Sequence, residues 1–115
     1  MAFVDVDGLK SVNDREGHAA GDALLRAVAA AIRSSLRSYD PIVRYGGDEF
    51  VCALSETDLD AAHRRFDSIA ETLAEAVESG SISVGLAPLR PDDSLEELVA
   101  RADTALQAVK HKGHQ

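Results

Sequence analysis

The chain has 115 residues, a formal net charge of −8 and 45% hydrophobic residues, of which few are aromatic. This length predicts one domain, and the apolar content is sufficient for a core of Leu, Val, Ile and Ala. The acidic balance argues against a nucleic-acid binder and against a protein that adsorbs to anionic membranes, because both need a basic face. An anionic substrate would therefore need a metal ion or a local cationic cluster.

The sequence indicates a reducing environment. Cys52 is the single cysteine, which excludes an internal disulfide, and its place in an apolar run predicts a buried, inert thiol. The sequence shows neither a signal peptide nor an apolar segment long enough to cross a bilayer. We expect a cytoplasmic protein with no membrane segment in this chain.

The first elements are a strand, a loop and a helix. Residues 2–6 are apolar apart from Asp5 and predict an interior strand that ends in Asp5-Val6-Asp7-Gly8. Asp-x-Asp-Gly can hold a ligand at a sheet edge, but it also occurs in ordinary turns. Residues 8–18 are polar and predict a loop, and apolar residues at helical spacing predict a helix over 19–36.

A hairpin is predicted over residues 41–54, with Gly46-Gly47 at its turn because glycine tolerates the positive φ of tight turns. Asp48 and Glu49 follow directly. Two adjacent carboxylates repel each other unless a cation or a substrate compensates them, which indicates a metal site. A plain hairpin turn is the alternative.

The last elements are a helix, a strand and a helix. The clearest amphipathic pattern runs over residues 59–76, with Thr57 or Asp58 as its N-cap and Ser79-Gly80 as its end. Residues 81–86 alternate as a half-buried strand does. Ser94 caps a final helix that Gly113 ends.

The resulting order, β-α-β-β-α-β-α, predicts an α+β fold of the ferredoxin-like split βαβ kind, with helices packed on a mostly antiparallel sheet. The first strand then lies antiparallel to the third, so Asp5 meets Asp48 and Glu49 at one edge. Such an edge suits Mg²⁺, which prefers one or two carboxylates together with substrate phosphate oxygens, and the carbonyl of Val6 could add a further ligand. Two carboxylate groups also suit a two-metal phosphoryl-transfer site.

These motifs together resemble the GGDEF family of diguanylate cyclases over nearly the whole chain. Arg44-Tyr45-Gly46-Gly47-Asp48-Glu49-Phe50 matches the family signature without substitution. The other matching stretches are Asp5 to Lys10 (with Leu9 in place of Phe), Asn13-Asp14, Gly17-His18, Gly21-Asp22, Ser83 to Gly85, and Ala102 to Gly113. The resemblance implies a fold similar to the palm of nucleotide cyclases and polymerases.

The resemblance also implies a reaction, in which two GTP molecules condense to cyclic di-GMP and release two pyrophosphates at the interface of two facing domains, as in a homodimer. By the same resemblance Asp5 and Asp48 would hold Mg²⁺ or Mn²⁺, with the carbonyl of Val6 as a further ligand. Asp48 or Glu49 would assist deprotonation of the attacking hydroxyl, and Lys10 would stabilise charge on the phosphates. Residues on the substrate side would be Asn13 and Asp22 at the guanine, His18 in an unspecified role, and Lys110 at the triphosphate.

Arg37-Ser38-Tyr39-Asp40 resembles the Arg-x-x-Asp inhibitory site of the family. We expect cyclic di-GMP to bind Arg37 and Asp40 and to restrain catalysis. A salt bridge at a helix end is the alternative.

The match has departures. The family's N-terminal helix is not found in residues 1–115, so we expect a single GGDEF domain without it and low activity for an isolated domain. Gln107 and His114 stand where the family often has Tyr and a phosphate-binding Arg. Two other functions therefore stay open, a catalytically weak or inactive module that binds GTP or cyclic di-GMP to regulate a partner, and a dimerisation fragment without a ligand.

Overall fold

The structure, a computed structural model, describes residues 1–54, 57–77 and 80–113. The elements are, in chain order, β1 (Ala2–Val6), α1 (Leu9–Glu16), α2 (His18–Ser35), β2 (Ile42–Arg44), β3 (Glu49–Cys52), α3 (Leu59–Ala76), β4 (Ile82–Leu86) and α4 (Leu95–Gly113). The predicted helix end at Ser79 and the substitution at His114 lie outside the described residues. No helix in the described ranges is both long and apolar enough to cross a bilayer.

The sheet has the predicted topology. Its strand order is β2-β3-β1-β4, and all three pairings are antiparallel. The α+β, ferredoxin-like prediction is therefore confirmed. β1 is central and fully buried because apolar residues point to both faces, and its register places Asp5 opposite Glu49.

Both faces of the sheet are covered in part by helices. α2 and α3 bury the face that carries Val4 and Phe50, while α4 packs on Phe3 of the opposite face. α4 approaches β4 so closely at Gly85 that a Cβ there would lie 2.2 Å from the backbone nitrogen of Leu106. The buried thiol is confirmed as well, because Cys52 has no exposed surface and burial raises its pKa to about 12.

The predicted loop over residues 8–18 was wrong, because most of it forms α1. Gly8 (φ 69°) and Gly17 (φ 89°) bound this short helix with left-handed backbone. None of its residues is fully buried, and only Leu9 and Val12 pack partly against the core. The apolar pattern is too sparse to reveal a helix that packing on α2 stabilises.

The explanation for Gly46-Gly47 was also wrong, although the hairpin between β2 and β3 is confirmed. Gly8 and Gly17 are the positive-φ glycines of the described residues. A Cβ at Gly46 would lie 2.4 Å from Oε1 of Glu49, the movable end of a side chain that turns back over it, so neither a positive φ nor a lack of space requires glycine there.

Candidate functional site

The two acidic stretches meet at one edge of the sheet, as predicted. The antiparallel register of β1 and β3 aligns Asp5 with Glu49, and the amide of Val6 donates to the carbonyl of Asp48 at 2.8 Å. The carboxylate of Asp48 lies close enough to Asp5 for its charge to raise the pKa of Asp5. Pairing between strands therefore brings together side chains more than 40 residues apart.

Asp5 is the most constrained of these carboxylates. It is 5% exposed, Oδ2 accepts a hydrogen bond from Nζ of Lys110, and Oδ1 has no hydrogen-bond partner. Burial raises the pKa of Asp5, the hydrogen bond from Lys110 opposes that rise, and the nearby charge of Asp48 adds to it. A buried carboxylate oxygen without a partner is costly in a folded protein and is available to a ligand.

Glu49 has a raised pKa as well. Burial is the main cause, and the negative charges of Asp48, Asp5 and Asp103 follow. A raised pKa brings a carboxylate closer to the range in which it accepts a proton as a general base. Glu49 is thus chemically suited to the predicted task, although its role stays a prediction.

These residues fit a hard divalent cation. The free Oδ1 of Asp5 and the neighbouring carboxylate of Asp48 supply two anionic oxygen donors, and Mg²⁺ commonly uses one or two carboxylates and takes its other ligands from water and phosphate oxygens. No cluster of three or more His, Cys, Asp or Glu side chains with metal-binding geometry occurs in the described ranges. The donor set thus fits a cation shared with a substrate. The Val6 carbonyl as a ligand stays a prediction.

A cavity of about 430 Å³ lies beside Asp48 and between α1, α2 and the hairpin turn. Its lining includes five predicted site residues from three parts of the chain. These are Lys10, Asn13, His18, Asp22 and Asp48. Four cavity-lining side chains that could meet a base or a phosphate therefore open onto the same space as a carboxylate of the acidic edge.

Asn13 reaches this cavity because α1 and α2 approach closely at Gly21. A Cβ built on Gly21 would lie only 1.7 Å from Oδ1 of Asn13. The amide of Asn13 therefore lies in the space that a side chain at position 21 would occupy. In the sequence Gly21 belongs to the Gly21-Asp22 motif, but its contact with Asn13 depends on helix α1, where the sequence predicted a loop.

Arg44 is a cavity residue that the sequence analysis did not assign to the site. Its guanidinium donates from Nε to the carbonyl of Gly46 at 3.3 Å and from Nη2 to the carbonyl of Gly47 at 2.8 Å. It thereby holds the turn that precedes Asp48. Its place in the signature motif was the available signal.

Asp7, the second carboxylate of the Asp-x-Asp pair, has a different role. Its two oxygens accept hydrogen bonds from the hydroxyls of Ser81 and Ser83, the latter at 2.7 Å. The backbone amide of Asp7 also donates to the carbonyl of Ser81 at 3.0 Å. Asp7 therefore ties the end of β1 to β4.

Lys110 and the candidate inhibitory residues make contacts within the protein. Lys110 binds Asp5.

The candidate inhibitory residues lie in the turn after α2. Asp40 is 1% exposed, and its carboxylate accepts from the amide of Arg37 at 3.1 Å. Arg37 is half-buried, and its guanidinium carbon lies 6.0 Å from the ring centroid of Tyr39, which is 61% exposed. Recognition of cyclic di-GMP by Arg37 and Asp40 stays a prediction.

Comparison with known proteins identifies the family. The family described as "Diguanylate cyclase, GGDEF domain" matches residues 1–115. Diguanylate cyclase DgcM of Escherichia coli K12 is 36% identical over 98% of this chain and 28% of its own length. Diguanylate cyclase A of Treponema denticola is 38% identical over 98% of this chain and 33% of its own length. This chain thus spans about a third or less of these relatives.

Solved structures of other proteins resemble this chain over nearly its whole length. The GGDEF domain of DgcB from Caulobacter crescentus in complex with c-di-GMP matches 97% of this chain and 71% of that chain, with a TM-score of 0.90 and 29% identity. Diguanylate cyclase SiaD from Pseudomonas aeruginosa, in complex with its activator SiaC, matches 97% of this chain and 46% of that chain, with a TM-score of 0.88 and 36% identity. The chain belongs to the GGDEF family.

Proposed function

We propose that this member of the GGDEF family is a diguanylate cyclase, which condenses two GTP molecules into cyclic di-GMP and releases two pyrophosphates. The observation that carries the proposal is the cavity in which Asn13, Asp22 and Lys10 open onto the same space as Asp48. The names of the relatives support it, as does the c-di-GMP bound to the DgcB domain.

Guanine would bind between α1 and α2. The carboxylate of Asp22 accepts from N1–H and the 2-amino group, and the amide of Asn13 donates to O6 or N7. Adenine presents the wrong pattern and would leave these polar groups unpaired, which is costly in a closed site. His18 lies in the same lining.

The phosphates would lie toward the acidic edge. Asp5 and Asp48 would hold Mg²⁺ or Mn²⁺, which supplies charge neutralisation and orientation of the phosphate oxygens when bound. Lys10 would stabilise the charge that develops on the phosphates, and Lys110 would contact the triphosphate. Arg44 keeps the turn before Asp48 in place through its two carbonyl contacts.

In each half-reaction the 3′-oxygen of one GTP forms a bond to the α-phosphorus of the other. The bond from that phosphorus to the bridging oxygen breaks, and pyrophosphate leaves with the electron pair. The hydroxyl proton passes to Glu49 or Asp48, and the raised pKa of Glu49 favours it as the acceptor. Because each domain holds one GTP, catalysis requires a second GGDEF domain facing the first.

The test is product formation from GTP with Mg²⁺ or Mn²⁺ at high protein concentration, with chromatographic detection of cyclic di-GMP. We expect the product from the wild type and from Asp67→Ala, which removes an exposed carboxylate on α3. We expect none from Asp48→Ala. Binding of GTP without product, under conditions in which the domains dimerise, would instead indicate a regulatory nucleotide-binding module.

Product inhibition through Arg37 and Asp40 is part of this proposal. We expect Arg37 to contact cyclic di-GMP from the surface while the buried Asp40 holds the turn. Arg37→Ala should then raise the product concentration that halves the rate. Identical inhibition curves for this variant and the wild type would refute this part alone. We also propose that the protein acts in the cytoplasm.

A further inference from the structure

Lys110, in the last turns of α4, contacts the acidic edge of the sheet. Its ammonium group donates to Oδ2 of Asp5, a residue 105 positions earlier in the chain. The Asp5 side chain is 8% exposed and that of Lys110 is 35% exposed. The lysine therefore reaches a buried carboxylate from the rim while part of its side chain stays in water.

The contact between Lys110 and Asp5 lies among several negative charges. The hydrogen bond to Asp5 is the main cause of the raised pKa of Lys110, and the negative charges of Asp48 and Asp7 add to it. Lys110 also opposes the raised pKa of Glu49. One ammonium group thus offsets the repulsion among several carboxylates.

A divalent cation would need the carboxylate that Lys110 occupies. Two cations on one carboxylate repel each other, and the Asp5 oxygen that has no partner is the only one left for a second ligand. Since the lysine stem is flexible and partly solvated, its ammonium group can leave without moving the backbone of α4.

We propose that Lys110 is an exchangeable counter-ion of Asp5, which occupies the carboxylate in the metal-free protein and leaves it when a divalent cation binds. The released ammonium group is then free to contact the nucleotide phosphates, a second step that rests on the proposed function. Lys110 in this view is a positioning residue that links cation binding to phosphate binding.

The exchange has two thermodynamic consequences. A divalent cation alone binds weakly, because it must first break the contact between Lys110 and Asp5. A cation with a triphosphate binds cooperatively, because the released lysine gains a new anionic partner, and the coupling acts equally in both directions. Replacing Lys110 by an uncharged residue removes the competition and the coupling together.

The release can be observed directly by NMR. The chain contains only three lysines, Lys10, Lys110 and Lys112, so ¹³Cε-labelled lysine gives three assignable signals. We expect the Lys110 methylene to be rigid in the metal-free protein and to become mobile when Mg²⁺ is added without nucleotide. A Lys110 signal that stays rigid at saturating Mg²⁺ would overturn the proposal, because an undisturbed ion pair cannot be a competitor.

Affinity for Mn²⁺ alone, measured by calorimetry, gives an independent test. Lys110→Met should bind Mn²⁺ about fivefold more tightly than the wild type, the scale of a partly exposed ion pair. Lys10→Met removes a charge from the cavity beside Asp48 and leaves the contact between Lys110 and Asp5 in place. It should change the affinity by less than about twofold, because solvent screens the charge of Lys10. Arg101→Met removes a different ion pair of α4, with Asp93, and controls for loss of stability.

The exchange would be overturned if the wild type and Lys110→Met bound Mn²⁺ with equal affinity. It would also be overturned if Lys10→Met gained as much Mn²⁺ affinity as Lys110→Met. Absence of Mn²⁺ binding in all variants, Lys110→Met included, would overturn the exchange and leave the proposed function standing, because the cyclase would then take its cation together with GTP. Mn²⁺ binding that shows the expected difference, without production of cyclic di-GMP, would refute the cyclase proposal and leave the exchange supported.

Discussion

Replacing Gly21 by alanine separates the stability of the fold from recognition of the base. A Cβ at this position would lie 1.7 Å from Oδ1 and 2.8 Å from Cγ of Asn13, and both atoms belong to a side chain that can rotate. We expect the helices to stay in place and Asn13 to turn out of the cavity. The substitution therefore removes the Asn13 amide from the site without deleting it.

The substitution should affect the stability of the fold and the affinity for GTP in opposite directions. Glycine in a helix is less favourable than alanine by roughly 0.5–1 kcal/mol, so Gly21→Ala should keep the free energy of unfolding at or slightly above that of the wild type. Loss of one hydrogen bond to the base should cost about 0.5–1.5 kcal/mol of binding, which corresponds to roughly a two- to tenfold weaker affinity for GTP.

The assay combines urea unfolding with calorimetric binding of a non-hydrolysable GTP analogue for Gly21→Ala, Asn13→Ala and the double variant. If Gly21→Ala acts through Asn13, the double variant should bind as weakly as Asn13→Ala and no more weakly. Wild-type affinity in Gly21→Ala would show that the new methyl group does not remove Asn13 from the site, or that Asn13 does not bind the base. A further loss in the double variant would show that the new methyl group obstructs the ligand itself.

Three other predictions follow from the packing and the ionisation states. Gly85→Ala should destabilise the fold by about 3 kcal/mol, because the new Cβ meets the backbone of Leu106, and an unchanged urea midpoint would contradict this. The hydrogen bond from Arg101 lowers the pKa of Asp93 to about 2, below its unfolded value near 4, so the stability it contributes is complete above about pH 4 and is lost toward pH 2. Asp93→Asn should thus be less stable than the wild type at pH 7 and converge with it near pH 2, whereas a constant difference would refute the assignment. Cys52, with a pKa of about 12, should react with an aromatic disulfide reagent at pH 8 only after unfolding, and rapid labelling of the native protein would exclude its burial.

Elements with a dense apolar pattern were predictable from local sequence. The predicted bounds of α3, Leu59–Ala76, agree with the structure, and β1 occupies the central position expected of an apolar strand. In both cases the residues that become buried recur at the spacing of the element itself. The polar helix α1 gave no such signal, because its stability depends on the surface against which it packs.

Short motifs placed the acidic, amide and basic side chains of the candidate site in order along the chain. The contacts that these side chains make within the protein could not be predicted from the motifs. Lys110 donates to Asp5, Asp7 is held by the hydroxyls of Ser81 and Ser83, and Asp40 is buried in its own turn.

Periodicity and motif spacing are local properties of the chain, so they reveal which chemical groups are present and which elements carry most of them. Packing of the elements sets which oxygen of Asp5 lacks a partner, which cationic side chain contacts which carboxylate and which side chains share a cavity. Those relations depend on the register of β1 between β3 and β4 and on the approach of α4, and they join residues as far apart as positions 5 and 110.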